Sequence, residues 1–257
     1  MKNLQQSLIQ VCALLLALPM LIVNSIAQAN DFPTAAPEDV GVSSERLQRL
    51  SSTMQRYIDS DLLAGTVSLV SRNGKVIHVE SQGWKNKETN ELMTDDSIFV
   101  IMSMTKPIVS TALMMLYEEG NFLLTDPITD WIPELKGKQV VIEEDGTNYR
   151  MSAHRPITFR HVLSHTAGVD PSREVLTEEE LALLPRKATL EETLINRAPL
   201  PLSFHPGDDW QYGSSTDYVA LLVERISGQS LVDYLQEKIL DPLKMHDTSY
   251  IVPKDKV

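Results

Sequence analysis

The pattern of apolar and polar positions first predicts a helix that begins after residue 42. Ser43 or Ser44 can cap its amino end, because a serine oxygen accepts hydrogen bonds from the first free N–H groups of a helix. The apolar positions that share one face at helical spacing are Leu47, Leu50, Met54 and Tyr57.

Two later segments have the alternation of β-hairpins. Residues 66–70 alternate with the strand period, Asn73-Gly74 supplies a turn pair, and residues 76–79 return. Residues 138–152 predict a second hairpin, with an apolar run and the turn pair Asp145-Gly146. A lone two-stranded hairpin is only marginally stable in water, so we expect the first one to pair with strands elsewhere.

Helical spacing dominates the rest of the chain. One helix is predicted from Ser103 to Glu119, with Gly120 as its stop, and Pro107 is tolerated only because it lies near the first turn. Its inward positions are Ala112, Met115 and Leu116. The other predicted helical stretches are residues 157–165, the acidic residues 172–198, a helix from Thr216-Asp217 to Gly228, and one carrying Leu231, Tyr234, Leu235 and Ile239.

The first 29 residues have the organisation of an export signal. Lys2 is the positive residue, residues 8–23 are apolar apart from Gln10, and Ala27-Gln28-Ala29 is a small-x-small cleavage site. We therefore expect residues 1–29 to be a signal peptide and the mature chain to be periplasmic or secreted. The short apolar run, with no basic residue directly after it, argues against a stable membrane anchor.

Composition narrows the possible chemistry. The only cysteine, Cys12, lies in the predicted signal peptide, so the mature chain has no disulfide, thiol nucleophile or cysteine metal site. Without Lys2 the chain holds 22 basic and 35 acidic residues, a formal charge of −13, and it has no basic run. This charge argues against a nucleic-acid partner. The length suits one sizeable domain.

Ser103-Met104-Thr105-Lys106 is the one Ser-x-x-Lys in the sequence. Residues three apart lie on the same face of a helix, so the lysine can reach the serine. A serine hydroxyl is a poor nucleophile until a base takes its proton, and a lysine can take a proton only when it is held neutral. Considered alone, the motif is more typical of a capped helix start with a solvated lysine than of a catalytic pair.

Tyr212 is the second chemical candidate. It lies in a loop that follows Pro206-Gly207 and precedes the helix beginning at Thr216-Asp217. A phenol beside a lysine cation can ionise and act as a general base towards Ser103. The alternative for an isolated tyrosine is a half-buried aromatic with no chemical role.

Other chemistries find less support. His161 and His165 have the spacing of a zinc helix, but Val162 stands where His-Glu-x-x-His requires glutamate, and no third ligand is evident. We therefore expect these histidines to pack, and no metal. The acidic run 178–180 is typical of a solvated helix start. No Gly-x-Ser-x-Gly and no phosphate-binding glycine loop occurs, so we expect no cofactor.

Five ordered stretches carry a family resemblance. Phe99-Val100-Ile101-Met102-Ser103-Met104-Thr105-Lys106-Pro107 resembles the nucleophile segment of the serine β-lactamase-like superfamily. This group includes class C β-lactamases, penicillin-binding D-Ala-D-Ala carboxypeptidases and family VIII carboxylesterases. The other matching stretches are Leu124-Thr125-Asp126-Pro127, residues 157–168, the Pro-Gly-x-x-Trp-x-Tyr segment that ends at Tyr212, and residues 242–248.

The resemblance implies both roles and a fold. Ser103 would be the acylated nucleophile and one N–H of the oxyanion hole, Lys106 its activating partner, and Tyr212 the group that exchanges the proton. The implied fold is α/β (α+β), with an antiparallel sheet flanked by helices and a mainly helical subdomain. Residues 30–100 would form the sheet side, and residues 101–257 the nucleophile helix and helical subdomain.

Two departures from the superfamily pattern matter. Ser214 stands where class C enzymes and peptidases usually carry asparagine, and residues 212–217 are closer to the Tyr-Ser-x-Ser-Thr-Asp of esterase-type members. A serine is a shorter donor to a substrate amide, so esters are favoured as substrates.

The second departure is a missing third motif, Lys-Thr-Gly or His/Trp-x-Gly, after residue 212. We therefore expect a C-terminally truncated domain that lacks part of the sheet.

The sequence thus predicts an exported serine hydrolase that forms an acyl-enzyme on Ser103, with carboxylic esters as the favoured substrates. β-Lactam hydrolysis or D-Ala-D-Ala carboxypeptidase activity with the same residues is the first alternative. A non-catalytic fragment or pseudoenzyme is the second. The expected partner is a small-molecule ester, amide or β-lactam substrate, and the sequence leaves the oligomeric state open.

Overall fold

A computed structural model describes residues 32–252 of the chain. The predicted signal peptide and Cys12 lie outside the described residues. The chain divides into two compact units between Phe99 and Val100. The sequence-based division into 30–100 and 101–257 falls one residue later.

The first unit combines one long helix with a small antiparallel sheet. The elements are a 3₁₀ turn at Pro37–Val40, α1 at Ser44–Asp59, β1 at Gly65–Arg72, β2 at Lys75–Asn86 and β3 at Glu91–Leu92. Helix α1 begins after Ser43, whose hydroxyl oxygen accepts a hydrogen bond from the Arg46 N–H at 3.2 Å. The sheet has the order β1-β2-β3, and Leu69 pairs with Val79 across the first two strands.

Two details of this unit differ from the sequence prediction. The predicted two-stranded hairpin has a third strand, β3, which is too short to show any periodicity. Tyr57, which we predicted on the buried face of α1, is 42% exposed, and Ile58 is buried there. The difference arises because an α-helix has 3.6 residues per turn, so its buried face shifts along the sequence over the length of α1, and Ile58 faces inward instead of Tyr57.

The second unit is mainly helical. A 3₁₀ turn at Met102–Met104 leads into the predicted nucleophile helix. Pro107 is the third residue of this helix, where a backbone N–H would have no intrahelical partner, so the proline removes no helical hydrogen bond. Its helices are α2 at Thr105–Glu118, α3 at Phe159–Leu163, α4 at Glu178–Leu181, α5 at Leu190–Arg197, α6 at Ser215–Ser227 and α7 at Leu231–Leu235, which continues as a π-helical turn at Gln236–Leu240. The second predicted hairpin is β4 at Gln139–Glu144 and β5 at Thr147–Ser152, and further 3₁₀ turns lie at Ile128–Asp130, Pro133–Leu135 and Arg173–Val175.

Capping divides the acidic stretch that the sequence predicted as broadly helical. Thr177 caps α4 and Thr189 caps α5, each in a reciprocal box with a glutamate three residues later. Two separate helix starts within residues 172–198 therefore produce two short helices instead of one long one.

The core of the second unit is built around α6. Val219, Leu221, Leu222 and Val223 are almost completely buried, and α6 packs mainly against α2. Removing one such side chain from water contributes about 1.5–3 kcal/mol. An aromatic cluster extends this core, since Phe122 stacks on Phe159 at 3.7 Å and Trp131 meets Phe159 edge-on at 5.1 Å. This packing brings the amino ends of α2 and α6 into one region.

Across residues 32–252, every helix is too short or too polar to cross a lipid bilayer. Within the same residues we find no cluster of three or more metal-ligating side chains.

His161 closes a capping box on α3. Its Nδ1 accepts a hydrogen bond from the Thr158 N–H at 3.1 Å, and the Thr158 hydroxyl oxygen accepts one from the His161 N–H at 3.4 Å. Burial, followed by the charges of Arg155 and Arg160, lowers the pKa of His161 below its ordinary value. The neutral imidazole is therefore the form that caps the helix.

We predict that His161→Gln reduces the loss of stability in mild acid. Because the pKa of His161 is lower in the folded protein, its contribution is fully present above pH 6.5 and is lost as the pH falls through the folded pKa. Glutamine at this position can complete the same capping box without ionising. Urea unfolding between pH 7.5 and 5 should give a smaller slope of unfolding free energy for the variant. Identical slopes would contradict the prediction.

Candidate active site

Ser103 lies at the tip of the 3₁₀ turn that precedes α2. The residue before it, Met102, has a φ of +47°, a left-handed conformation that non-glycine residues rarely adopt, at a cost of roughly 1–2 kcal/mol. Ser103 is exposed, and its N–H is among the first of the turn, which intrahelical bonding leaves unpaired. The left-handed conformation of Met102 thus places both the hydroxyl and the N–H of Ser103 ahead of the first turn of α2.

Lys106 lies one turn further along, at the second position of α2. Its Nζ donates a hydrogen bond to the Ser103 Oγ at 3.3 Å. The same Nζ lies 4.8 Å from the centroid of the Tyr212 ring, within the range of a cation–π interaction. The predicted contact between Ser103 and Lys106 is therefore present.

Tyr212 comes from the loop before α6 and is 52% exposed. Hydrogen bonding to Ser103 is the largest influence that lowers the pKa of its hydroxyl, followed by hydrogen bonding to Lys106 and by the lysine's positive charge. These influences favour the phenolate, the form that can accept a proton. The structure thus brings together all three residues that the sequence singled out.

His165 packs beside the tyrosine. Its ring lies 4.9 Å from the Tyr212 ring, and its carbonyl oxygen accepts a hydrogen bond from the Gln211 N–H at 2.9 Å. Burial first, and then the charge of Lys106, lowers the pKa of His165, while Asp170 acts in the opposite direction. A neutral imidazole therefore packs against the phenol.

Asp170 is a site residue that the sequence analysis did not identify. Its Oδ2 accepts a hydrogen bond from the Ser214 N–H at 2.8 Å, and its Oδ1 accepts one from the Ser214 hydroxyl at 2.6 Å. No motif signals this contact, because Asp170 and Ser214 meet only through the fold. The segment 157–168, which was matched to the superfamily, ends just before Asp170.

Asp217 is a second carboxyl close to this region, at the start of α6. Burial raises the pKa of Asp217, and the neighbouring charge of Asp170 raises it further, whereas Lys106 and nearby arginines lower it. Asp170 thus disfavours the ionised form of Asp217, and Lys106 favours it.

Two exposed apolar side chains adjoin the candidate site residues. Trp210 is 61% exposed, with its ring 6.4 Å from that of Tyr212, and Met104 is 65% exposed beside Ser103.

Comparison with known proteins shows the family of the chain and agrees with the fold. Residues 50–257 match the family described as Beta-lactamase, and the chain belongs to this family. The predicted β-lactamase-like fold class is confirmed by the family match and by similarity to a solved structure.

The relatives include esterases and penicillin-binding proteins. Esterase EstB of Burkholderia gladioli is 30% identical over 210 residues, which are 79% of this chain and 51% of that protein. Penicillin-binding protein 4* of Bacillus subtilis is 25% identical over 187 residues, which are 72% of this chain and 37% of that protein. The chain therefore spans about half or less of the length of these curated relatives.

A solved structure gives the same picture. EstCE1, described as a hydrolase with promiscuous acyltransferase activity, superimposes with a TM-score of 0.64 at 27% sequence identity. The superposition covers 77% of this chain and 51% of that one. The family match and this superposition thus agree on a β-lactamase-like fold.

We predict that Lys106→Met and Ser103→Ala each raise the pKa of Tyr212, and that the double variant returns it close to the ordinary value of 10.0. Each change removes an interaction that favours the phenolate. Absorbance at 295 nm during alkaline titration reports phenolate, and subtracting the Tyr212→Phe curve isolates this residue. If the isolated component titrated identically in wild type and in both single variants, the three side chains would not interact as the structure indicates.

Proposed function

We propose that the protein is an exported serine hydrolase that cleaves carboxylic esters through an acyl-enzyme on Ser103. One observation carries the proposal: the Lys106 Nζ lies 3.3 Å from the Ser103 Oγ and 4.8 Å from the centroid of the Tyr212 ring. A nucleophile, a cation and an ionisable phenol at one site are the parts that proton-coupled acyl transfer requires.

The proposed reaction begins with proton transfer. The Lys106 cation stabilises the Tyr212 phenolate, which takes the proton of the Ser103 hydroxyl as Oγ attacks the ester carbonyl carbon. The tetrahedral intermediate then collapses, the bond to the alkoxide breaks, and the phenol returns the proton to the departing oxygen. Water releases the acyl group by the same proton route. General acid–base catalysis of this kind contributes about 100- to 10,000-fold in rate.

The oxyanion that forms on the carbonyl needs hydrogen-bond donors. We assign one donor, the Ser103 N–H, which points ahead of the first turn of α2, where the helix dipole also favours negative charge. In enzymes that use such a site, one donor of this kind contributes about 100- to 1000-fold in rate.

The preference for esters is supported by Ser214. Its hydroxyl donates to Asp170 at 2.6 Å and is therefore engaged within the protein. The asparagine that peptidase-type members carry at this position can donate to a substrate amide, whereas an engaged serine hydroxyl offers no such donor. Similarity to Esterase EstB supports the same substrate class.

A second candidate keeps the same residues but acts on β-lactams or on D-Ala-D-Ala peptides. Similarity to penicillin-binding protein 4* favours it, although at lower identity than the esterase match. Faster turnover of nitrocefin than of p-nitrophenyl butyrate, or penicillin labelling of Ser103, would select this candidate.

We predict that Ser103→Ala reduces hydrolysis of p-nitrophenyl butyrate to the rate of buffer and abolishes covalent labelling by a fluorophosphonate. The variant has no hydroxyl to acylate and leaves the backbone of the turn unchanged. Ser52→Ala, which removes an exposed hydroxyl on α1, is the matched control and should retain wild-type rates. Equal turnover and labelling in wild type and Ser103→Ala would exclude Ser103 as the nucleophile, and a wild type without either activity would support a non-catalytic binding role.

Export is a separate part of the proposal and rests on the pattern of residues 1–29. We predict that the protein recovered from a periplasmic or culture fraction begins at Asn30. Intact-mass measurement decides between this form and the full chain, and an uncleaved protein confined to the cytoplasm would contradict export.

A further inference from the structure

The loop that carries Tyr212 determines where the phenol lies. The side chain is half exposed, so packing alone does not immobilise it. Its partners are Ser103 and Lys106, which belong to α2 and its preceding turn, and the ring of His165. The placement of the phenol therefore depends on how the backbone on either side of Tyr212 is held.

The residues before Tyr212 are held from two directions. The Gln211 N–H donates to the His165 carbonyl oxygen at 2.9 Å, and the Gln211 Oε1 accepts a hydrogen bond from the Ser203 hydroxyl at 3.0 Å. The same Ser203 hydroxyl lies 2.8 Å from the Asp170 carbonyl oxygen. The backbone of Asp170 thus contributes to the anchoring of this side of the loop.

The residues after Tyr212 are held by the Asp170 side chain. Both carboxylate oxygens accept from Ser214, one from the N–H at 2.8 Å and one from the hydroxyl at 2.6 Å. Hydrogen bonds to an ionised acceptor are shorter and stronger than those between neutral groups. Asp170 therefore fixes both the position and the direction of the backbone immediately after the tyrosine.

Gly213 leaves room for this carboxylate. A Cβ on Gly213 would lie 2.1 Å from the Asp170 Oδ2 and 2.7 Å from its carboxyl carbon. The φ of Gly213 is outside the left-handed region, so the requirement for glycine is one of space and not of backbone conformation. The esterase-type pattern described above has serine at this position, and the carboxylate of Asp170 explains why this chain does not.

We propose that Asp170 is the positioning residue for Tyr212: its carboxylate fixes residues 213–214 and thereby holds the phenol against Ser103 and Lys106, with Gly213 as its necessary partner. The significance of this role for catalysis rests on the proposed function. The positioning itself is a property of the folded chain and can be measured without substrate.

Removal of Asp170 distinguishes positioning from a simple effect of charge. Loss of a nearby negative charge stabilises a phenolate and lowers the pKa of Tyr212. Release of the loop moves the phenol away from Ser103 and Lys106 and raises that pKa. The two explanations therefore predict shifts of opposite sign in the same measurement.

The test compares wild type, Asp170→Ala and Asp170→Asn by alkaline titration at 295 nm, each corrected with its own Tyr212→Phe curve. We expect the pKa of Tyr212 to rise towards 10.0 in Asp170→Ala and to rise less in Asp170→Asn, which keeps one acceptor oxygen. An unchanged or lowered pKa in both variants would overturn the proposal. If Asp170→Ala does not fold, as thermal unfolding would show, the sign of the shift in Asp170→Asn decides.

A second arm tests the partnership with Gly213. Gly213→Ala should raise the pKa of Tyr212 in the wild-type background, because the new methyl group displaces the carboxylate, and should have little further effect in the Asp170→Ala background. Equal effects in the two backgrounds would contradict the partnership.

Fluorophosphonate labelling of Ser103 should slow by about 100-fold in Asp170→Ala, which is the cost of a misplacement of about 1 Å. A wild type that is not labelled would refute the proposed function, while the titrations would still decide whether Asp170 positions Tyr212.

Discussion

The packing of α2 against α6 is the contact on which the rest of the second unit depends. Both helices bury residues completely at their shared core, among them Ala112 and Leu113 on α2 and Val219 and Leu222 on α6. The amino end of α2 carries the serine and the lysine, and the loop before α6 carries the tyrosine. Because helix amino ends concentrate free N–H groups and positive dipole ends, the same packing that buries apolar area also creates a region that favours negative charge.

Polar contacts then refine what the apolar core has brought together. A neutral histidine packs against the phenol, and a carboxylate holds the backbone after it. Neither contact supplies much of the stability of the unit in comparison with the burial of α6, but each limits the directions in which an exposed tyrosine can point. The site therefore relies on the core for proximity and on a few hydrogen bonds for orientation.

Local patterns predicted most of the fold, and long-range contacts account for what they missed. The two hairpins and the helices of the second unit follow from periodicity, turn pairs and capping residues, and the contact between Ser103 and Lys106 follows from their spacing. Tyr212 is far along the chain and was linked to them only through the ordered resemblance to a family. The two-residue strand β3 and Asp170 escaped prediction because neither repeats a pattern, since one is defined by cross-strand pairing and the other by a contact formed only after folding.

The division of the chain at Phe99 has a consequence for how the site could be passed on and altered in evolution. Ser103, Lys106, Tyr212 and the residues that support them all belong to the unit that begins at Val100. Every contact described among the residues proposed to handle the proton is therefore made within one compact unit. Substitutions in that unit are the ones that can change the distances within the proposed site directly.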